Sequence, residues 1–500
     1  MKQHVFPFLL LVLCMTSCGS TNASSSQSSP SSFTSDVGPT LSDVTSAESV
    51  ADMPSSSSVS SLPDPTKESM YSKQGYLKFV GGVDSIWRNY LGDGQTIAVI
   101  DTGFDVGHSE FQNQDGYSKI SPKSARFHHE GGAVAIDVGV EHAKMTNGDS
   151  HGTFCAAVAA ASVTREGTVG IAPNASLMLL ATDSKPRSIA EAFRYAADNG
   201  ARIVTISIGS YSDYEGDLQN DGSDLTSVFD ASLEYAYRKG VVICSAGGNG
   251  GLYRPVDYTY PGGCDYVIGV GGLAKNSRTT IWSESSRNSE SAYQFCDVFA
   301  PSEDMFNACN FTRDGKRYLY DGGWNGTSFA SPIVAGAAAL YFQKHPTHTN
   351  QDFERALYNT ANSLGGSAGG YGAINIQALM EYGAPEGAEV EIAFESASWW
   401  DADGAATRLF AWSRARSVFL QSFSKTKDPR GTLRLWTFNV DRTLFDYLVF
   451  IRVSPNDEAW GAETITLNLE DFHDGSLYYS IKDSSPAWLN DNQRAVGNYK

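Results

Sequence analysis

The sequence predicts an α/β domain built on a doubly wound parallel sheet, followed by a small antiparallel β-sandwich. Three observations carry that expectation. TIAVI at 96–100, SLMLL at 176–180, RIVTIS at 202–207 and GVVIC at 240–244 are short, nearly continuous apolar runs rich in branched residues, as in strands buried on both faces of a parallel sheet. Between them, residues 188–199 (Ile189, Ala192, Phe193, Ala196, Ala197) and 225–239 (Val228, Phe229, Leu233, Ala236) place apolar side chains at helical spacing. Strand followed by helix, repeated, winds helices over the sheet. Past Gly383-Ala-Pro385 the helical pattern stops, and the segments 390–394, 417–423, 432–438, 447–453 and 464–469 alternate or run apolar between turn residues, the pattern of a sandwich.

Taken in chain order, Lys2, the apolar run at 5–14 and the small residues Thr16 and Ser17 have the layout of a secretory signal. The run is about half the ~20 residues that a membrane-crossing helix requires. Met15-Thr-Ser-Cys18 resembles a bacterial lipoprotein box, with Met15 where such boxes usually carry Leu. The resemblance implies cleavage after residue 17, lipid on Cys18, and a mature chain anchored to a bacterial membrane at the cell envelope, facing the periplasm or exterior. Residues 18–70 are dominated by serine and cannot bury a core. A flexible coil of about 50 residues spans roughly 40 Å, enough to hold a domain clear of a membrane. The expected organisation is signal 1–17, tether 18–70, α/β domain 71–384 and β-domain 385–500.

With 56 acidic and 37 basic side chains among 500 residues the net charge is −19, and no segment is basic, so nucleic acid is excluded as a partner. At 41% hydrophobic and 12% aromatic the chain fills a real core.

Ligands in doubly wound sheets gather at the carboxyl ends of the strands, so polar residues just past those ends carry the chemistry. Asp101 directly follows the first strand, in Asp101-Thr-Gly-Phe. His151 opens an alanine-rich helix at 151–161, where one ring nitrogen can take an orienting carboxylate and the other face a nucleophile. Ser328 stands at the turn into a second small-residue helix, beside backbone N–H groups that lack intrahelical partners and favour developing negative charge; Pro332 is expected in its first turn. Singly, these are an ordinary turn aspartate, a loop histidine and a helix-capping serine. Together they supply what a serine hydroxyl needs to attack a carbonyl: a base, and a group that orients the base.

Asp101-Thr-Gly, His151-Gly-Thr and Gly326-Thr-Ser-Phe-Ala-Ser-Pro resemble, in order, the three signature blocks of the subtilisin-like serine proteases, over about residues 94–382. A fourth block, residues 241–251, is similar to the strand and loop that end in that family's oxyanion asparagine, here Asn249. The resemblance implies a serine endopeptidase acting on protein or peptide substrates, with no cofactor for its chemistry. It also implies a substrate groove walled by Ser207, Ile208 and Gly209 and by Ser245, Ala246 and Gly247, with Thr259 on the pocket floor where many relatives have glycine. Thr259 would favour small or medium apolar side chains; Asp257 offers a basic preference instead. Further, it implies a structural calcium site with Glu110 as ligand, carbonyls from about 162–168, and Glu166 as a second carboxylate, while Arg165 offers a charge partner that would replace the metal. A non-catalytic surface binding protein on the same scaffold is the alternative from another functional class.

Seven cysteines become five once Cys14 and Cys18 are assigned to the leader and the anchor. Cys155 resembles a buried packing thiol found beneath the histidine in some subtilases; of the remaining four, Cys296 with Cys309 is the preferred pairing. Trp399 and Trp400 are expected in the core of the β-domain. Residues 18–71 lack the apolar periodicity of a folded pro-segment, so folding without an intramolecular chaperone is expected.

Overall fold

The computed structural model describes residues 64–499 except 114, 147, 149, 212–221, 258, 290–294, 384–388, 413–416, 422–424, 428–433, 454–458, 473–477, 484–493 and 496–497. The leader, Cys18 and most of the expected tether lie outside the described residues. The folded body already includes residues 64–70: Pro65–Lys67 form a 3₁₀ turn capped by Asp64, and Glu68 is buried. The expected boundary at 70 therefore falls too late, because Glu68 is hydrogen-bonded into a loop almost a hundred residues away.

The chain opens with a short helix α1 (Val83–Ile86) and strand β1 (Thr96–Asp101), then β2 (Ala125–Glu130), β3 (Ala133–Val138), helix α2 (His151–Ala160) and β4 (Ser176–Thr182). Helix α3 (Pro186–Asp198), β5 (Ile203–Ile206), β6 (Ser210–Tyr211), α4 (Leu225–Arg238), β7 (Val242–Ala246), β8 (Thr259–Tyr260), β9 (Ile268–Leu273) and β10 (Val298–Pro301) follow. A hairpin of β11 (Met305–Arg313) and β12 (Lys316–Trp324) leads into α5 (Thr327–Lys344), α6 (Asn350–Thr360), β13 (Gly372–Ala373) and α7 (Ile376–Glu381).

Nine strands form one sheet in the order β13-β10-β9-β7-β5-β1-β4-β2-β3, parallel throughout except for β2 with β3. Strands β5 and β9 are buried along their whole length and β1 and β4 past their first residue, which is why their sequences run apolar instead of alternating. The antiparallel edge has no such run: β3 is half exposed and mixes charged with apolar residues.

Beyond residue 388 lie two further sheets. One contains β14 (Glu389–Glu395), β17 (Lys425–Lys427), β18 (Arg434–Asp441), β22 (Tyr478–Ser480) and β24 (Asn498–Tyr499); the other contains β15 (Ala406–Trp412), β16 (Ser417–Gln421), β19 (Tyr447–Val453), β20 (Ala459–Thr464), β21 (Leu467–Asn468) and β23 (Arg494–Ala495). Most pairs are antiparallel, with β14–β22 and β20–β23 parallel. Phe394 of one sheet stacks on Phe450 of the other at 4.3 Å between ring centroids, so the sheets share a core. Trp400 is fully buried and its indole N–H donates to Thr407 Oγ1 at 2.9 Å; Trp399 is half-buried. This module is fixed to the α/β domain by the buried Arg355–Asp441 pair and by Arg408 to Glu234 at 3.3 Å.

Candidate active site

Asp101 is the last residue of β1 and is fully buried; His151 is the first of α2. The two elements meet so closely that a Cβ at position 152 would lie 2.5 Å from the Gly103 carbonyl oxygen and 2.9 Å from Asp101 Cβ, so only Gly152 permits the approach. His151 Nδ1 lies 2.9 and 3.1 Å from the two Asp101 carboxylate oxygens, and the Thr102 N–H donates to Oδ1 at 2.8 Å. A carboxylate only accepts, so the bond assigns the proton to Nδ1 and leaves the acceptor lone pair on Nε2, the tautomer a general base requires. Burial pulls the imidazole's pKa down, but the Asp101 charge and hydrogen bond outweigh it and hold His151 well above its ordinary value.

Ser328 is the second residue of α5. Pro332 lies inside this helix, not in its first turn as expected, and the difference has a consequence. A proline four residues on has no N–H to give the Ser328 carbonyl. That carbonyl instead accepts from Ser207 Oγ at 2.7 Å and from Cys155 Sγ at 3.5 Å. In return Ser328 Oγ donates to the Ser207 carbonyl at 3.1 Å, tying the serine to the segment just past β5. Cys155 also lies 4.0 Å from His151 Nδ1, and the Phe329 ring is 5.8 Å from the imidazole, so the base and the hydroxyl belong to one site. Burial raises the Cys155 thiol pKa, which keeps it protonated beneath the histidine, a packing group and weak donor.

Asn249 follows β7 and is exposed in a loop whose neighbouring glycines are buried or half-buried. Its Oδ1 accepts from the Thr327 N–H and the Thr327 hydroxyl, both at 2.9 Å, which turns Nδ2 the other way. A point beside Gly326, where a side chain would begin, lies 3.6 Å from Asn249 Nδ2 and 3.8 Å from the Ser328 backbone nitrogen. The two nitrogens, from different elements, thus lie near one another beside Gly326, with the Phe329 ring 3.7 Å from the same point.

The parallel register pairs Ile206 with Ser245, so Ser207, Ile208 and Gly209 leave β5 beside Ser245, Ala246 and Gly247 of the neighbouring strand. Thr259 is buried against the second segment, its hydroxyl donating to the Gly247 carbonyl at 3.3 Å. Asp257 lies 3.7 Å from Arg254, so its charge already has a partner.

Glu110 is buried, but its surroundings do not fit a calcium ion. The loop at 164–169 turns its N–H groups inward: Thr168 N donates to Glu110 Oε1, Arg165 N and Gly167 N to Glu68, and Val169 N to the Gln74 side chain. Three of its carbonyls are already taken, those of Glu166, Gly167 and Val169 accepting from Ser69, Met70 and Gln74. Calcium needs six or more oxygens, and the buried side chains here leave only Glu110 Oε2 and the Ser162 and Thr168 hydroxyls without a hydrogen-bond partner. Glu166 and Arg165 are both exposed, so neither expected partner faces Glu110. Sequence reasoning missed Glu68 because it lies inside the segment read as tether, and Gln74 because it lies just past it.

The expected Cys296–Cys309 disulfide is absent: Cys155, Cys244, Cys264, Cys296 and Cys309 are all buried thiols outside any disulfide. Cys296 Sγ donates to the Ser286 carbonyl and Cys309 Sγ to that of Tyr318, two separate places in the core.

An imidazole oriented by a buried carboxylate, with a serine hydroxyl nearby at the strand ends of a parallel sheet, is the arrangement of a serine hydrolase. The family model described as the subtilase family matches residues 92–375. Subtilisin E from Bacillus subtilis (strain 168) is 32% identical over 301 residues, covering 59% of this chain and 68% of that protein. Subtilisin DY from Bacillus licheniformis is 28% identical over 301 residues, covering 59% and 93%. Among solved structures, fervidolysin from Fervidobacterium pennivorans, described as a keratinolytic enzyme related to subtilisin, matches 82% of the chain with a TM-score of 0.56 at 20% identity, which shows the fold; the chain spans 63% of its length. This chain belongs to the subtilase family and is a serine-type peptidase.

Proposed function

We propose that the chain is a serine endopeptidase, lipid-anchored through Cys18 at the bacterial cell envelope, that cleaves protein or peptide substrates through an acyl-enzyme. The observation that carries the reading is the Asp101–His151 bond, which puts the imidazole in the tautomer able to accept the Ser328 proton. His151 takes that proton as Ser328 Oγ attacks the scissile carbonyl, Asp101 stabilises the imidazolium, and Asn249 Nδ2 with the Ser328 N–H binds the oxyanion. His151 then returns the proton to the leaving amine, and water repeats the sequence to release the acid. No cofactor enters the chemistry.

Extended substrate would pair with residues 207–209, its side chain before the cut bond entering between the two walls. The Thr259 side chain on the floor favours small or medium apolar residues, and the pairing of Asp257 with Arg254 argues against a basic preference. A fluorophosphonate probe should label the wild-type chain and fail to label Ser328→Ala. Equal labelling of both, or of neither, would leave a non-catalytic binding protein on this scaffold.

A further inference from the structure

Thr327 holds the Asn249 side chain, but the loop carrying it has a second support. Tyr211 lies on β6, two residues past the Gly209 wall, and is half-buried. Its hydroxyl reaches the asparagine loop: a Cβ at Gly250 would lie 2.7 Å from that oxygen, and one at Gly248 3.3 Å. Glycine on both sides of Asn249 lets the loop sit this close to the phenol, to Ser286 and to the Arg254 carbonyl. That puts the phenol oxygen against the Asn249 backbone and beside the Ser286 hydroxyl. Ser286 in turn grips the loop from both flanks, its Oγ accepting the Gly250 N–H at 3.1 Å and its own N–H donating to the Gly248 carbonyl at 2.8 Å. The ring is fixed as well, by the Arg254 guanidinium 5.7 Å from its centroid and by the β6–β8 pairing that sets Tyr211 opposite Thr259.

We propose that Tyr211 is a positioning residue for the oxyanion hole, tying the backbone of Asn249 to the wall on which substrate lies. The inference rests on the peptidase reading above. Oxyanion donors act only within a narrow window, about 2.7–3.1 Å from where the charge develops. An asparagine loop flanked by glycines does not hold such a window unaided. With Tyr211 in place, the strand that aligns the substrate and the donor that meets its oxyanion share one frame.

The test is a double-mutant cycle on hydrolysis of a chromogenic peptide, with Tyr211→Phe, Asn249→Ala and the pair, each shown by thermal unfolding to be folded. Tyr211→Phe keeps the ring and its contact with Arg254 and removes only the hydroxyl. In the wild-type background we expect kcat to fall about tenfold with KM within about twofold, less than the 10²–10³ that losing a whole donor costs. In the Asn249→Ala background the same change should cost less than about twofold, because the group it positions is gone. A loss of equal factor in both backgrounds, or one confined to KM, would overturn the positioning role while leaving the peptidase reading intact. A wild-type chain that neither turns over peptide nor takes the fluorophosphonate label would overturn both.

Discussion

Asp101 and Glu110 are both fully buried carboxylates, nine positions apart, and they sit at opposite ends of the same helix. Asp101 meets His151 where α2 starts, while the Glu110 carbonyl accepts the Ser162 N–H just past its end. Asp101 has an imidazole partner at 2.9 Å and a backbone N–H. Glu110 has the Thr168 N–H and the Tyr320 hydroxyl, with one oxygen unpartnered, and burial outweighs these donors and pushes its carboxyl up to about 7. The contrast teaches that burial alone does not make a catalytic carboxylate. The partner decides: a group that becomes a cation during turnover makes the buried charge useful, whereas neutral donors leave it an electrostatic cost.

Asp101→Asn breaks the comparison at its stronger end and carries the largest expected effect. The amide keeps the shape but no longer enforces the Nδ1–H tautomer, and kcat should fall by about 10⁴ in a chain that remains folded. A loss below about tenfold, measured on the purified variant, would remove Asp101 from the mechanism. The pH profile sharpens the same point. His151 acts in its neutral form, and Asp101 raises its pKa, so kcat/KM of the wild type should climb with pH along a limb centred above the ordinary histidine value. The residual activity of Asp101→Asn should show that limb displaced to lower pH, and an unmoved limb would mean that another group sets it.

The strands at 96–101, 176–182 and 203–206 were legible because a sheet buried on both faces imposes continuous apolar runs. The site was legible for a related reason. Asp101, His151 and Ser328 each sit at the join between a strand or helix and a glycine-bearing turn, and local sequence sets those joins. What was hidden depends on distant segments meeting. Glu68 looks like one more residue in a polar leader until the loop at 164–167 folds onto it. Tyr211 lies in a short strand with no periodicity to announce it, and the glycines around Asn249 read as turn formers, not as the notch for a phenol. The cysteine count invited a disulfide, but Cys296 and Cys309 each hydrogen-bond a different stretch of backbone. Glu110 was found, but a sequence does not say that the N–H groups of a distant loop close on it and on Glu68.

Glu110→Gln breaks the comparison at its weaker end, and its effect depends on pH in a direction that can be worked out. The folded-state value near 7 lies above the ordinary 4.5, so between those limits the folded chain binds more protons than the unfolded one. Stability from this group is therefore present at low pH, declines as pH rises from about 4.5 to 7, and is flat above. The interval corresponds to at most about 3 kcal/mol. Glutamine keeps an oxygen for the Thr168 N–H and cannot ionise, so in a Ser328→Ala background that prevents autolysis, Glu110→Gln should be near-neutral at pH 5 and stabilising by up to that amount at pH 8. Because the Arg165, Gly167 and Thr168 N–H groups already saturate this loop with donors facing carboxylates, a chelator should leave the melting temperature of the parent unchanged. A chelator-induced drop of several degrees, together with destabilisation by Glu110→Gln at pH 8, would mean that Glu110 is ionised against a cation and that both ends of α2 are charge-paired after all.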